Sequence, residues 1–214
     1  MQISNLRHPN LHISVFTTAP GETWCLFGAN DSGIDEFFTL LAGELGAFDA
    51  DVLLLPEHPA FLTFKTQQEI YEAELRIDDS DYLDCPDPGT PARAFLPPGS
   101  DQSSLIHDFA MSESLDKGYR QLSSGQSRKL ILMREILLGA TEILIQNPYD
   151  GLDENSCREL DKALANLQGH NVQILVAVNN RSDIPLWCSH LALLSQGTIL
   201  LQGRREDVLK NFED

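Results

Sequence analysis

The segment that most constrains the fold of this chain is residues 122–126, Leu-Ser-Ser-Gly-Gln. Its value lies in its spacing from a second segment, residues 142–153. About 20 residues later comes a short apolar run from Glu142 to Ile145, which ends in Gln146-Asn147-Pro148 and is followed by Gly151-Leu152-Asp153. A short apolar run bounded by turn-forming residues is typical of a buried strand. The stretch between the two segments has the apolar spacing of a helix, so this order favours an α/β fold.

Strand and helix patterns alternate along the rest of the chain. Alternation of this kind predicts an α/β fold with a mainly parallel sheet flanked by helices, an antiparallel β subdomain and a helical insertion. We expect a single domain over residues 1–214, with a core of about 1–64 and 141–214 and a helical subdomain of about 65–140. The pattern predicts strands over 11–17, 24–27, 142–145 and 172–178, a hairpin formed by 191–194 and 198–201, and helices over 37–45, 67–76, 105–115, 127–139, 155–167 and 207–212, with an irregular connection over 84–104.

The charge of the chain excludes some classes of partner. A net charge of −17 argues against nucleic-acid binding and against a polybasic membrane-surface patch. Twelve acidic and two basic residues lie between Thr66 and Asp116, which predicts either a face for a basic partner or an ordinary solvated surface. The chain has no apolar run of transmembrane length and no signal-peptide pattern, and its four cysteines are widely spaced. We therefore expect a cytoplasmic protein with reduced thiols and no metal centre of its own.

A glycine-rich segment between the predicted strand 24–27 and the following helix has the context of a phosphate-binding loop. Such a loop is a glycine, four residues, then Gly-Lys-Ser/Thr, where the lysine contacts phosphate and the hydroxyl holds Mg²⁺. Here the Lys position is Ile34 and the Ser/Thr position is Asp35. The full match is Gly28, Ala29, Asn30, Asp31, Ser32, Gly33, Ile34 and Asp35.

These substitutions alter the electrostatics of the loop. Ile34 removes the cation that would neutralise a terminal phosphate, while Asp31 and Asp35 add negative charge near its position. A helix N-terminus favours an anion by only about 0.3–1 kcal/mol, which two carboxylates can cancel. We therefore expect weak or absent phosphate binding at this loop. The alternative is a residual weak nucleotide site.

The ordered motifs resemble those of the ATP-binding cassette (ABC) ATPases. Residues 122–126 match the signature motif, 142–148 the Walker B strand and 151–153 the D-loop. The resemblance implies that Gln146 and Asn147 stand where the family has an aspartate and a glutamate, and that Asn179 stands at the switch histidine. An amide cannot act as a general base and binds a divalent cation more poorly than a carboxylate does. We therefore expect the hydrolytic chemistry of this site to be lost.

Two further strings are similar to the N-terminal cassette of the ModF-type tandem ABC ATPases, which are associated with molybdate transport genes. They are residues 62–68, Leu-Thr-Phe-Lys-Thr-Gln-Gln, and residues 180–185, Asn-Arg-Ser-Asp-Ile-Pro. The resemblance places Phe64 at the Q-loop glutamine, and the neighbouring Gln67 and Gln68 leave that position open. The aromatic residue that stacks on a nucleotide base has no clear equivalent before the loop. His8 is one candidate, and the favoured alternative is that it is an incidental surface histidine.

The resemblance also implies a role for an intact signature beside an altered loop. In this family two cassettes pair head to tail, and each ATP lies between the loop of one and the signature of the other. Ser123, Ser124 and Gly125 would donate hydrogen bonds to the terminal phosphate, and the helix that begins after them would direct its positive end there. Arg128 and Lys129 either support that charge or are exposed. The implied signature and D-loop site residues are Leu122, Ser123, Ser124, Gly125, Gln126 and Asp153.

Three functions are compatible with these motifs. The first is an ATP-binding domain that binds ATP with Mg²⁺ only at a composite site with a second cassette, together with a membrane transporter subunit at the inner face of the membrane. The second is a binding module or scaffold without nucleotide. The third is an active ATPase, which requires Asp35 and Asn147 to perform chemistry for which they are poorly suited. Retention of residues 122–126 favours the first function, and loss of the loop and strand chemistry favours the second.

Overall fold

The computed structural model describes residues 1–78, 80, 86–167, 170 and 172–211. The strands are β1 (Gln2–His8), β2 (Leu11–Thr17), β3 (Thr23–Phe27), β4 (Val52–Leu54), β5 (Pro59–Leu62), β6 (Glu142–Gln146), β7 (Gln173–Val178), β8 (His190–Ser195) and β9 (Thr198–Arg204). The helices of the described residues are α1 (Ile34–Leu41), α2 (Phe64–Arg76), α3 (Ser104–Asp108), α4 (Ser124–Leu137), α5 (Glu154–Asn166) and α6 (Arg205–Asn211). Short 3₁₀ turns lie at Ala92–Phe95, Ser100–Gln102, Ser112–Ser114, Tyr119–Gln121 and Arg181–Asp183.

The strands form one mixed sheet in the order β4-β1-β2-β9-β8-β3-β7-β6-β5. Strand β3 pairs in parallel with both β7 and β8, and β2 pairs in parallel with β9. The pairs β1–β2, β1–β4 and β8–β9 are antiparallel. The predicted α/β class is confirmed, as is the hairpin of β8 and β9. The parallel pairs of β3 agree with the predicted parallel sheet, and the antiparallel pairs of β1 agree with the predicted antiparallel part, so the sheet as a whole is mixed.

Strand β1 has no counterpart among the predicted strands. Its two buried apolar residues, Ile3 and Leu6, are three positions apart, whereas an ordinary strand alternates with a period of two. Asn5 lies between them with φ of 49°, a left-handed conformation that shifts the alternation by one residue. The local irregularity therefore hides the strand pattern.

The chain divides into two compact units. The first comprises residues 1–59, 144–148 and the described residues of 173–214. Its core includes Phe16, which meets Trp24 edge-on with 5.0 Å between ring centroids and Phe37 edge-on at 5.4 Å. Because Phe16 lies on β2, Trp24 on β3 and Phe37 on α1, this aromatic cluster fixes α1 against the sheet.

The second unit comprises the described residues of 60–143 and 149–172. It contains helices α2 to α5, and α4 packs against α5. Its core includes Phe109, Met111, Leu130 and Leu160, each at most 1% exposed. No helix in the described part of the chain is long and apolar enough to cross a membrane.

Several predicted element bounds were wrong. The helix predicted over 37–45 begins at Ile34, directly after the loop, and ends at Leu41. The helix predicted over 127–139 begins at Ser124, because a capping box places the start of the helix inside the signature segment. The helix predicted over 105–115 ends at Asp108, and a 3₁₀ turn comes after it. Residues 84 and 85 of the predicted irregular connection and residue 212 of the last predicted helix lie outside the described residues.

Candidate functional site

The loop of residues 28–35 connects β3 to α1 in the first unit. A Cβ atom on Gly28 would lie 2.4 Å from the Ser32 hydroxyl oxygen and 2.6 Å from the Leu194 carbonyl oxygen, so only glycine fits there. The Ser32 N–H donates to the Ala29 carbonyl at 3.0 Å. That hydrogen bond closes a turn and uses one of the amides that a phosphate loop would direct at its ligand.

Gly33 joins the loop to the N-terminus of α1. Its φ of +99° lies in the left-handed region, and a Cβ atom there would lie 2.6 Å from the Cα of Gly197. Gly197 sits in the turn between β8 and β9, and its N–H donates to the Ser32 carbonyl at 2.7 Å. The hairpin turn therefore supports the loop from one side, and glycine is required at position 33; at Gly197 a Cβ atom would instead lie 2.2 Å from the Asn10 carbonyl oxygen.

We expect Gly33→Ala to lower the free energy of unfolding by about 2–5 kcal/mol, since it adds left-handed strain to a backbone clash. Gly43→Ala is the matched control, because Gly43 also has positive φ (+72°) but nothing lies within 4 Å of its added Cβ. Only the strain remains there, at a cost of about 1–2 kcal/mol. Denaturant unfolding of both variants measures the difference. Equal losses in the free energy of unfolding would show that the backbone at Gly197 moves to accommodate the added Cβ atom.

A cavity of about 430 Å³ opens above this loop. Three carboxylates line it, those of Asp31, Asp35 and Glu36, and no lysine or arginine is among the described residues that do so. The remaining polar lining consists largely of amides, from Asn10, Asn30, Gln146, Asn147, Asn179 and Gln196. The predicted loop, strand and switch positions thus come together in one place, but around negative charge.

The two substituted positions of the loop and the strand contact each other. The Gln146 amide on β6 donates a hydrogen bond to the Asp35 carboxylate on α1. Asn147 is the next residue, with φ of 47°, and its N–H donates to the Ala177 carbonyl of β7 at 2.8 Å. A carboxylate on the helix thus faces an amide on the strand. The resemblance implies the opposite arrangement, with a Ser or Thr hydroxyl at position 35 on the helix and an aspartate at position 146 on the strand.

These side chains differ from those with which a phosphate loop holds Mg²⁺-ATP. Ile34 is 8% exposed and carries no charge, so the cavity has no counterpart for a terminal phosphate. The Ser32 hydroxyl is buried without a hydrogen-bond partner in the described part of the chain. Among those residues no group of three or more His, Cys, Asp or Glu side chains is placed to hold a metal ion. The three carboxylates of the cavity therefore oppose the negative charge of a polyphosphate, and no lysine among the described lining residues offsets them.

The signature lies in the second unit, at the N-terminus of α4. The Ser123 hydroxyl accepts from the Gln126 N–H at 3.2 Å, and the Gln126 side-chain oxygen accepts from the Ser123 N–H at 3.0 Å. Ser124 and Gly125 are consequently the first two residues of the helix. The first N–H groups of a helix have no acceptor within it, so these two amides lack an intrahelical partner; Ser124 is exposed and Gly125 is buried.

The D-loop residue Asp153 caps the neighbouring helix α5. Its two carboxylate oxygens accept from the N–H and the hydroxyl of Ser156, both at 2.9 Å. A Cβ atom on Gly125 would lie 3.1 Å from the Cβ of Ser156. Gly125 therefore allows the N-termini of α4 and α5 to approach closely. We call residues 122–126 together with 153–156 the signature corner.

The hydrogen bonds from Ser156 to Asp153 hold the pKa of that carboxylate below its ordinary value of 3.8. A depressed pKa stabilises the folded state above pH 3.8, and this stabilisation is lost as the pH falls through the folded-state pKa. Asparagine caps a helix about as well but does not titrate in this range. We therefore expect the melting temperature of the natural chain to exceed that of Asp153→Asn at pH 6 and to lose this excess progressively as the pH falls below 3.8. A constant difference between the two would contradict the assignment.

Arg128 and Lys129 come directly after the signature on α4. They are 7% and 2% exposed, so the alternative that they lie on the surface is wrong. The Lys129 ammonium forms an ion pair with Glu159 on α5 at 3.0 Å. Arg128 donates to the Gln67 side chain and to the Asp150 carbonyl. Both cations are thus engaged inside the second unit, which sequence alone gave no means of finding.

The structure places the residues that the sequence offers for the Q-loop glutamine and for the aromatic residue that stacks on a nucleotide base. Phe64 begins α2 and is 78% exposed, whereas Gln67 accepts from Arg128 and Gln68 donates to Glu72 at 2.8 Å. The His8 ring nitrogen accepts from the Asn10 N–H at 3.2 Å at the end of β1. Gln67 is therefore the glutamine that is tied to the signature helix.

The known proteins that this chain resembles in sequence include ATP-binding proteins of transport systems. Escherichia coli ModF, an ABC transporter ATP-binding protein, is 25% identical over 94% of this chain and 42% of its own length. The manganese transport system ATP-binding protein MntA of Synechocystis is 24% identical over 92% of this chain and 79% of that protein. The chain thus spans less than half of ModF. No protein-family model matches.

Solved structures agree on the fold. The cbiO1 structure from Clostridium perfringens, part of the ABC transporter complex cbiONQ, superposes with a TM-score of 0.73 at 16% identity and covers 99% of this chain and 91% of its own. A nucleotide-free ATP-binding cassette from an ABC transporter gives a TM-score of 0.71 at 17% identity, over 100% of this chain and 96% of its own.

Proposed function

We propose that this chain is an ATP-binding cassette domain of the ABC type and that it is the non-catalytic half of an asymmetric cassette pair. Its likeness to ModF over 94% of the chain supports the first part of this proposal. Its own loop does not serve as a nucleotide site. Instead it contributes its signature corner to a composite site at which a partner cassette holds ATP with Mg²⁺. The domain is then a required component of an ATPase without carrying the hydrolytic chemistry itself.

The contrast between the cavity above the loop and the signature corner carries this proposal. The cavity above the loop has three carboxylates, no cation among its described lining residues, and amides at both Walker B positions. The signature corner has a complete capping box, a glycine at the close contact with Ser156, and free first-turn amides on a 14-residue helix. Of these two places, the signature corner has the better arrangement to receive an anion, which supports a role toward a nucleotide held by a partner.

Four residues of the signature corner then have distinct roles. The N–H groups of Ser124 and Gly125, with the exposed Ser124 hydroxyl, donate to the terminal phosphate of the ATP that the partner holds. Ser123 and Gln126 hold the first turn in shape through their reciprocal hydrogen bonds. When bound, Mg²⁺-ATP supplies the phosphoryl group and the metal. This chain supplies oriented donors, which are most effective where charge develops.

The likeness to ModF suggests the partner and the setting. The partner is a second cassette, on the same polypeptide or on another. A membrane transporter subunit completes the assembly at the cytoplasmic face of the membrane, and molybdate transport is the process that the ModF relationship suggests. Within the domain, residues 65–140 act as the helical subdomain that carries the signature.

A nucleotide-free scaffold is the second candidate. The hydrogen bond between Gln146 and Asp35 favours it, since the side chains of the cavity partner each other without a ligand. The scaffold makes no use of the Ser124 and Gly125 donors, so substitution there distinguishes the two functions.

Complementation between chains tests the proposal. A cassette with a competent loop and Walker B strand but an inactive signature should hydrolyse ATP only when this chain is present. An equal rate of ATP hydrolysis with and without this chain would contradict donation of the signature to a partner and would favour the scaffold.

A further inference from the structure

A polar bridge crosses the second unit from helix α2 to the segment before Asp153. We propose that Arg128 is a positioning residue that ties this segment to α4 and so sets the geometry of the signature corner. The proposal rests on the function inferred above, in which that corner contacts a nucleotide held by a partner. This role differs from both alternatives that the sequence leaves for Arg128, support of the phosphate charge and exposure at the surface.

The bridge is a continuous chain of hydrogen bonds. The Gln67 side-chain N–H donates to the carbonyl of Thr63, the N-cap of α2, at 3.2 Å. The Gln67 oxygen accepts from Arg128 Nε at 2.8 Å. The Nη2 atom of Arg128 donates to the Asp150 carbonyl. One guanidinium thus joins α2, α4 and the segment 149–153.

The burial of Arg128 makes this bridge specific. At 7% exposure the guanidinium has lost most of its hydration. Burial lowers the pKa of Arg128, and the nearby negative charge of Asp150 partly offsets that effect. A buried cation is tolerated only when well-placed acceptors replace its water. The planar guanidinium offers several donors at fixed angles, so it holds Gln67 and the Asp150 carbonyl in one relative position, which a lysine cannot do.

The bridge ends beside the signature corner. Arg128 lies one turn along α4 from Ser124 and Gly125, so it shares their side of the helix. Asp150 stands within a turn in which the Leu152 N–H donates to the Tyr149 carbonyl at 3.1 Å. That turn leads directly to Asp153, which caps α5 and orients Ser156 against Gly125. Movement of the turn would therefore change the spacing of the two helix N-termini.

Hydrogen exchange on the full chain tests the bridge without a partner. In Arg128→Lys the amides of Leu152 and Ser156 should exchange at least about 10-fold faster, while those of Cys25 and Val176 in the sheet stay unchanged. Gln67→Ala, which removes one arm only, should give a smaller increase at the same amides, and it remains informative if Arg128→Lys folds poorly. Arg134→Lys is the matched control, because Arg134 lies on the same helix and pairs with Glu135. Unchanged exchange at Leu152 and Ser156 in both bridge variants would overturn the proposal.

A second measurement separates positioning from stability. In the complementation assay, Arg128→Lys in the added chain should lower kcat about 10-fold and leave KM for ATP unchanged, since the partner's loop binds the nucleotide. A natural rate with Arg128→Lys would overturn the proposal. Failure of the unaltered chain to complement would instead contradict the proposed function, and hydrogen exchange would still decide whether Arg128 holds the turn.

Discussion

ATP hydrolysis is expected to rise by about 100-fold or more when the unaltered chain is added to a variant with a restored cis site and an inactive signature. This restored chain carries Ile34→Lys, Asp35→Thr, Gln146→Asp and Asn147→Glu, with Ser124→Asp in its own signature. Donors aimed at developing charge are each worth roughly 10²–10³ in rate. When the restored chain pairs with itself, the Ser124→Asp carboxylate faces the nucleotide at both composite sites. When it pairs with the unaltered chain, one of its nucleotides faces an unaltered signature. Phosphate release at a fixed concentration of restored chain measures the effect.

Ser124 suits this substitution because it is exposed and is the first residue of α4. An aspartate at a helix N-terminus favours the helix, so the fold should tolerate the change. The unaltered chain with Ser124→Asp alone is the matched control and should give no rise. Ser112→Asp, at another exposed serine of the second unit, should complement normally. A rise with the Ser124 variant, or none with the unaltered chain, would contradict donation in trans.

Mg²⁺-ATP affinity of the isolated chain is expected to increase by about 100-fold or more on Ile34→Lys with Asp35→Thr. The pair of changes adds two units of charge at the loop. A charge pair 4 Å apart is worth about 4 kcal/mol at an effective dielectric constant of 20, and exposure of Asp35 reduces this gain. Thr also supplies the hydroxyl that a phosphate loop directs at the metal. Calorimetric titration should give no heat with the natural chain at high micromolar ATP and a measurable one-to-one isotherm with the variant.

Glu44→Lys is the control for net charge. It also adds two units, but on an exposed residue that is not among those lining the cavity. It should leave the titration unchanged, since the effect depends on charge at the loop and is screened elsewhere. Clear binding of Mg²⁺-ATP by the natural chain would mean that the backbone amides of the loop outweigh Asp31 and Asp35.

Much of the fold was predictable because its elements have regular local patterns. The strands β2, β3, β6 and β7 and the hairpin of β8 and β9 were expected from apolar runs and turn residues, and each was found within a residue or a few of its predicted bounds. β1 was missed because Asn5 breaks its alternation. The start of α4 was misplaced by three residues because Ser123 and Gln126 were interpreted as ligand-binding residues and not as a capping box.

The sequence by itself determined the α/β class, the order of the motifs, and the residue types at the altered positions, because strand and helix periods and motif spacing are local properties of the chain. Only the tertiary structure decided which side chains meet. It placed Gln146 on Asp35, 111 positions apart, and Arg128 on Gln67, 61 positions apart. It also showed Arg128 and Lys129 to be buried. Contacts between distant segments depend on how helices pack on a sheet and on each other, and no local pattern encodes that packing.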